Sequence, residues 1–396
     1  MKKYIFAFLL CSLALTASAQ TFRYQKFYDS ARQHASVEGL MDSDSNRVGD
    51  WTWWHPNGKV YQRGTYNEDG EKTGLWRIFY DDGKKCAEEC YDNGTTRTWF
   101  RNGKLKSEIA IVKGQKHGTY TSWYENGKKH EVITFVNGSR EGETKEWHEN
   151  GQLKFQGTYR NNELDGPATW WTSRGKKDME GTLKDGEQNG HWLFYWRTNG
   201  RLGIEGDYDN GKETGTWTYY YETGQKWRSG DYSNGMRRGT WTTWYESGKK
   251  LHEGKYSNDL EEGQWTAWYE SGKVDYTGTF RQGKKNGQWV GYYEDGQKRY
   301  TIDYTDDKKN GTETRYFTNG KPESVESYRM DVRDGKYERY SQAGGLEETG
   351  SFSNGQKVGK WRWYDRGVEV YVGTFEDGKM VSREDKLPTK RSSNKF

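Results

Sequence analysis

A glycine recurs at a nearly constant spacing through most of this 396-residue chain. Ten of the thirteen intervals between these glycines are 24 residues long. A fixed period of this length is typical of a repeat protein, in which each repeat is one supersecondary element that packs against the next. The glycines lie at positions 49, 74, 94, 118, 142, 166, 190, 215, 239, 263, 287, 311, 335 and 359.

Each repeat is predicted to be a β-hairpin. The repeat that opens at Gly263 runs Gly-Gln-Trp-Thr-Ala-Trp-Tyr-Glu-Ser-Gly-Lys and continues through Tyr276 and Phe280. Short alternating segments bounded by glycine turns are typical of strands joined by tight turns. The first turn often carries Asn-Gly or Asp-Gly, as at Asn126-Gly127. That pair favours a two-residue type I′ hairpin turn.

The core is predicted on one face of these hairpins. A two-residue turn in the Gly263 repeat places Trp265 opposite Gly278 and Gly263 opposite Phe280. Most large rings on this face then meet a glycine or a modest residue, although Trp76 would face Glu89 and Trp289 would face Ile302. Ring-over-glycine pairing fills the gap that a glycine leaves in a sheet. Hydrophobic residues make up 31% of the chain and aromatic residues 16%. We therefore expect a core built from rings and not from aliphatic side chains.

The opposite face is polar except for one aromatic residue in each repeat, at the position of Trp268. Rings on an open face stack on sugars or on the apolar surface of a partner, so this aromatic row is the candidate binding surface. The alternative is that the rings pack between neighbouring repeats. The candidate residues are Trp123, Trp147, Trp171, Tyr195, Tyr220, Trp244, Trp268 and Tyr292.

The repeats together predict an extended fold. About fourteen hairpins of ~24 residues, with strands spaced about 4.8 Å apart, would form a ribbon on the order of 130 Å long. Strand twist would coil that ribbon. The sequence predicts an all-β, elongated single-sheet solenoid of antiparallel β-hairpin repeats, twisted or superhelical. Its parts are a signal peptide (1–19), an N-terminal cap (20–48), the repeat domain (49–378) and a flexible basic tail (379–396).

The first residues have the pattern of a cleaved secretory signal. A basic start precedes an apolar run from Tyr4 to Leu15 and small residues up to Ala19. The apolar run is shorter than the roughly 20 residues of a membrane helix. A lipoprotein signal at Cys11 is less favoured because Leu10 is large where lipidation needs a small residue. We expect the mature protein in the periplasm, on the outer surface or in the medium.

Catalytic, cofactor and metal sites are not predicted. The seven histidines are scattered, and His55 and His148 occupy the position that Tyr269 fills in the Gly263 repeat. We interpret both as ring substitutes. No histidine spacing matches a zinc site, and the glycines form hairpin turns and not a phosphate loop. A formal net charge of +4 over 396 residues argues against a nucleic-acid partner.

Acidic and basic residues flank many of the first turns. Glu125 precedes such a turn and Lys128 follows it, and Glu270 and Lys273 repeat the pattern. We expect these residues to form cross-strand ion pairs. Because the paired acids would offset the lysines, peripheral contact with a membrane is not favoured.

The segment from Tyr276 to Trp289 resembles the MORN repeat, in which an aromatic, a glycine and another aromatic precede a Gly-x-x-x-Gly turn. The half Gly-x-Trp-x-x-Trp-Tyr-x-x-Gly-Lys is similar to bacterial MORN-variant repeats, labelled antitoxin-like components of the YwqK family. The resemblance covers residues 49–378. It implies a β-hairpin solenoid that holds proteins together or against membranes, without catalytic residues. We expect a non-enzymatic exported scaffold for a protein partner, with a glycan-binding module and an antitoxin-like component as alternatives.

Overall fold

A computed structural model describes residues 20–386. The predicted signal peptide and residues 387–396 of the predicted tail lie outside the described residues. The described residues form β-strands and no α-helix. They divide into an N-terminal unit that ends at Gly175 and a C-terminal unit that begins at Lys176, and each is described by itself.

The N-terminal unit is an antiparallel meander in which each strand from β1 to β12 pairs with the next along the chain, and both β13 and β14 pair with β12. Its strands are β1 (Phe22–Phe27), β2 (Ala35–Met41), β3 (Arg47–Trp54), β4 (Val60–Tyr66), β5 (Lys72–Phe79), β6 (Lys85–Cys90), β7 (Gly94–Trp99), β8 (Leu105–Val112), β9 (Gln115–Trp123), β10 (Lys129–Val136), β11 (Ser139–Trp147), β12 (Leu153–Arg160), β13 (Glu163–Leu164) and β14 (Gly166–Trp171).

The C-terminal unit is built in the same way, with every strand antiparallel to its sequence neighbour. Its strands are β15 (Lys177–Lys184), β16 (Glu187–Tyr195), β17 (Leu202–Asp209), β18 (Lys212–Tyr220), β19 (Lys226–Ser233), β20 (Met236–Trp244), β21 (Lys250–Ser257), β22 (Leu260–Trp268), β23 (Val274–Arg281), β24 (Lys284–Tyr292), β25 (Lys298–Thr305), β26 (Lys308–Tyr316), β27 (Pro322–Arg329), β28 (Val332–Tyr340), β29 (Leu346–Ser353), β30 (Gln356–Asp365), β31 (Val368–Glu376) and β32 (Lys379–Asp385).

The fold class is confirmed: the described chain is all-β and consists of repeated antiparallel hairpins. The predicted register within a hairpin is also correct away from the turn, whereas beside the turn it shifts, and Val274 pairs with Trp268 and not with Tyr269 as predicted. Strands β22 and β23 pair Trp265 with Gly278 and Gly263 with Phe280. The alternation of residues along these strands therefore places the large rings on one face, as the sequence indicates.

The turn inside most repeats is not the predicted type I′ turn; the last repeat is an exception, with φ values of +51° and +83° at Arg366 and Gly367. The N–H of Tyr124 donates to the carbonyl of Lys128, and the N–H of Gly127 donates to the carbonyl of Tyr124, both at 2.8 Å. Gly127 has a φ of +91°, but Asn126 has none of the positive φ that a type I′ turn requires at both central positions. The loop has three residues and closes with a left-handed glycine. Asn126 Oδ1 accepts the N–H of Lys128 at 2.9 Å, which stabilises this conformation.

Most type I′ turns lie between repeats instead. Gln282 and Gly283 have φ values of +51° and +77°. They connect Arg281 to Lys284, which pair with each other. The prediction exchanged the two kinds of turn because both positions favour Asn or Asp before Gly in this sequence.

The glycine that opens most repeats lies in a bulge. Strands β23 and β24 change register between Thr277 and Thr279. Gly287 lies in the bulged part of β24 with a φ of +69°, a conformation that favours glycine. The bulge lets Trp289 fold over Gly278 of the preceding repeat, where an added Cβ would overlap the indole ring.

The predicted ring-over-glycine contact is therefore made between repeats and not within one. Although Trp265 pairs with Gly278, its ring covers Gly254. The indole N–H of Trp289 also donates to the carbonyl of Thr279, at 3.2 Å. Each tryptophan thus joins its own repeat to the one before it. The same contact joins Gly39 with Trp51, Gly64 with Trp76, Gly181 with Trp192, Gly206 with Trp217, Gly230 with Trp241 and Gly350 with Trp361.

The core of the N-terminal unit also contains aliphatic side chains, contrary to the expectation of rings alone. Ile109, Ile111, Ile133 and Phe135 form a buried cluster. The repeats that open at positions 94, 118 and 142 lack a tryptophan at the core position. Branched aliphatic residues on the neighbouring strands fill that space, because a sheet face buries whichever apolar side chains it carries.

The ends of the chain extend the hairpin pattern. The residues predicted as a cap include β1 and β2, and β2 pairs with β3. The predicted flexible tail is wrong for residues 379–385, because β32 pairs there with β31. Asp377 and Gly378 have φ values of +45° and +78°, which form one more tight turn and bring the chain back onto the sheet.

Candidate functional site

The aromatic row lies on the face opposite the core tryptophans. On β20, Trp244 alternates with Thr243 and shares its face with Thr242, whereas Trp241 lies on the core face. All eight candidate residues are half-buried, so their rings are neither enclosed nor fully open. The first three candidates belong to the N-terminal unit and the other five to the C-terminal unit.

Charged pairs border the rings of the row. The ammonium of Lys250 lies 5.5 Å from the ring centroid of Trp268 and 2.7 Å from the carboxylate of Glu253. Lys177 repeats the arrangement, with its ammonium 6.0 Å from the ring of Tyr195. The hydrogen bond from Lys250 lowers the pKa of Glu253. A cation over an aromatic face is favourable, so each lysine holds its place beside the ring.

Two tyrosines of the row donate hydrogen bonds from their hydroxyls to glutamates. Tyr220 donates to Glu205 at 2.5 Å, and Tyr195 donates to Glu180 at 2.5 Å. Desolvation, followed by the bond to Glu205, raises the pKa of Tyr220 to about 12. Desolvation and the bond to Glu180 likewise raise the pKa of Tyr195. Both hydroxyls therefore stay protonated at neutral pH and are already used as donors.

The residue after most row positions ties neighbouring repeats together. Tyr245 donates its hydroxyl to the backbone carbonyl of Trp268 at 2.9 Å. His148 makes the same contact through Nε2 to the carbonyl of Trp171, at 2.9 Å. The interpretation of His148 as a ring substitute is confirmed, since its ring N–H takes the place of the tyrosine hydroxyl.

The predicted cross-strand ion pairs at the first turns are wrong. Lys128 does not pair with Glu125; its ammonium donates to the backbone carbonyl of Asn150 in the next repeat, at 2.6 Å. Asn126 also reaches the next repeat, through Nδ2 to the carbonyl of Glu149 at 2.9 Å. The turns face one another across repeats, so their unpaired carbonyls attract these donors more directly than an exposed carboxylate does.

Among residues 20–386, no group of three or more histidine, cysteine or acidic residues is placed to hold a metal ion. No helix in the described part of the chain is long and apolar enough to span a membrane. Cys86 and Cys90 are free thiols.

The sequence prediction missed a pocket at one point of the row. Its volume is about 200 Å³, and Gly203 and Ile204 form part of its wall. The signal was present in the chain, because this repeat and the next are separated by 25 residues and Gly203 stands where other repeats carry a side chain. The aromatic lining residues are Phe194, Tyr195, Trp196, Tyr219, Tyr220 and Trp227.

Ten segments of the chain match the MORN repeat variant family. They are residues 47–68, 72–93, 92–110, 116–137, 140–161, 213–234, 237–258, 261–282, 285–306 and 309–330. Together they cover more than half of the 396 residues. The chain belongs to the MORN repeat variant family. Residues 162–212, which include part of the pocket wall, are passed over by the match.

Solved structures give only a weak likeness to this MORN-variant chain. The crystal structure of TcdB2-TccC3-Cdc42 matches with 10% identity and a TM-score of 0.16, over 89% of this chain and 23% of that chain. The pore of the Photorhabdus luminescens Tc holotoxin matches with 12% identity and a TM-score of 0.15, over 89% of this chain and 23% of that chain. Such TM-scores do not indicate a shared architecture. No curated protein sequence matches the chain.

Proposed function

We propose that this MORN-variant protein is a non-enzymatic scaffold, exported to the cell envelope, that binds a protein partner through its aromatic row. The observation that carries the proposal is the repetition of one arrangement on one face. Half-buried rings recur there, and charged pairs such as Lys250 with Glu253 border them. Rings that expose part of their surface beside polar groups are typical of residues that anchor protein interfaces.

Export is supported by the residues that precede Gln20, which have the order of a secretory signal. We expect the chain recovered from the envelope or the medium to begin at Gln20. N-terminal sequencing by mass spectrometry, after cell fractionation, measures this directly. Recovery of the unprocessed chain in the cytoplasm alone would contradict export.

Partner binding is tested by capture from an envelope extract with the immobilised protein. The double variant Trp244→Ala with Trp268→Ala is expected to lose most of the partner captured by the wild type, because truncating one interface anchor typically costs about 2 kcal/mol or more. Quantitative mass spectrometry of the captured proteins measures the loss. Leu260→Ala is the matched control, since Leu260 is 47% exposed and lies outside the row.

A glycan array run beside the capture separates the alternative functions. Retention by glycans alone, abolished by the same double variant, would replace the scaffold proposal with a glycan-binding module, since rings also stack on sugars. An antitoxin-like role predicts rescue of cells from a toxin encoded beside this protein. Equal capture by the wild type and the double variant would exclude the aromatic row as the partner surface.

A further inference from the structure

The pocket arises because one repeat lacks a side chain that its neighbours have. Leu202 pairs with Tyr195, and Lys226 pairs with Tyr220, so Gly203 and Trp227 occupy the same position in successive repeats. Gly203 has no positive φ, so its backbone does not require glycine. At the same position other repeats carry Asp178, Leu251, Asp275 and Arg299. Because the side chain is missing, the indole of Trp196 lies against Gly203, where an added Cβ would be 3.1 Å from Nε1, and this indole forms one wall of the pocket.

The lining of the pocket is almost wholly ring carbon. Several polar atoms of its residues are already engaged: Trp196 Nε1 donates to the carbonyl of Tyr220 at 3.2 Å, and the hydroxyls of Tyr195 and Tyr220 donate to glutamates. A sugar would leave its own hydroxyls unpaired against such walls, which is costly. A volume of about 200 Å³ suits one side-chain-sized apolar group and is small for a larger ligand.

The charges beside the pocket disfavour a cation and favour an anion. The guanidinium of Arg228 lies 4.1 Å from the ring centroid of Tyr219 and 4.7 Å from that of Trp227. These two lining rings therefore already hold a cation, and a second one would be repelled. In the described residues, Arg201, Lys226 and Arg228 have no acidic partner, whereas the two carboxylates beside the lining, Glu180 and Glu205, each accept a tyrosine hydroxyl. The neighbouring ion pairs use other cations, such as Arg197 with Asp178.

We propose that this pocket binds a neutral aromatic side chain of a protein partner, presented by an acidic segment of that partner. The inference rests on the proposed scaffold function and names the group that anchors there. The partner's aromatic ring would contact Tyr219 and Trp227. These two side chains form an edge-to-face pair with ring centroids 6.3 Å apart, within the usual range of aromatic contacts. Trp227 is 39% exposed, so the inserted ring would also cover its free surface.

The test uses the full mature chain and fluorine NMR. The probe is a tripeptide with 5-fluorotryptophan between two glutamates, and the same tripeptide with two lysines, choline and methyl glucoside are compared. The acidic peptide is expected to bind more tightly than the basic one. Gly203→Leu, which crowds the Trp196 wall of the pocket, and Trp227→Ala, which removes a wall, are each expected to weaken binding at least about tenfold.

Glu347→Leu is the matched control, since it adds the same side chain at the equivalent position of another repeat and should leave binding unchanged. Circular dichroism of each variant shows that its fold is retained. Choline or glucoside binding in place of the peptide, or equal binding by Gly203→Leu and the wild type, would overturn the inference. If the tripeptide does not bind but the protein still captures its partner, the pocket inference fails and the scaffold proposal stands. The failure of one proposal can therefore be distinguished from the failure of the other.

Discussion

Trp241→Ala is expected to lower the free energy of unfolding by about 3–5 kcal/mol, the usual cost of truncating a buried tryptophan. Trp241 is 5% exposed and covers Gly230 of the preceding repeat. Its indole N–H donates to the carbonyl of Asp231 at 3.2 Å. It also forms an edge-to-face pair with Tyr232, with ring centroids 5.2 Å apart. The substitution removes all these contacts between two repeats.

Urea unfolding followed by circular dichroism, combined with hydrogen exchange, measures the effect. Because a repeat contacts mainly its neighbours, the loss of amide protection should concentrate in β18 to β21. Trp227→Ala is the control on the same sheet, since Trp227 is 39% exposed and its removal should cost less than about 1 kcal/mol. Equal destabilisation by the two variants would show that the ring-over-glycine contact does not stabilise the sheet.

Gly230→Ala is expected to destabilise the protein by about 1–3 kcal/mol, the range for overpacking a filled site. The backbone of Gly230 has no positive φ, so the conformation itself tolerates alanine. An added Cβ would overlap the buried ring of Trp241. On strand propensity alone, alanine should be more favourable than glycine by roughly 0.5–1 kcal/mol. The steric effect of the ring is therefore expected to reverse the sign of the substitution.

A double-mutant cycle isolates this contact. In a Trp241→Ala background, Gly230→Ala should be neutral or stabilising, because the ring is absent, and the coupling should reach about 1–3 kcal/mol. Urea midpoints of the four proteins give the coupling. Gly345→Ala is the control, since Gly345 also lacks a positive φ and an added Cβ would meet nothing closer than 3.4 Å. Additive effects of the two substitutions would contradict the proposed contact.

The candidate site was predicted in part from the sequence. The row from Trp123 to Tyr292 could be identified because one aromatic residue recurs at one position of each repeat. Its half-burial and its charged borders could not, because they depend on side chains of the adjacent strand, such as Lys250 beside Trp268. The repeat pattern does not predict the pocket at Gly203. The pattern is defined by the residues that the repeats share, and Gly203 is a residue at which one repeat differs from the others.

The amino-acid sequence by itself determined the repeat, the hairpin and the pairing of Trp265 with Gly278. All three features depend on local turns and on the alternation of side chains along a strand. A few consecutive residues are enough to specify both. The tertiary structure alone decided which glycine each ring covers. A left-handed glycine such as Gly287 bulges the strand between repeats, and this shift directs Trp289 onto Gly278 of the preceding repeat. The shift arises from packing between repeats, and the residue spacing within a single repeat does not specify that packing.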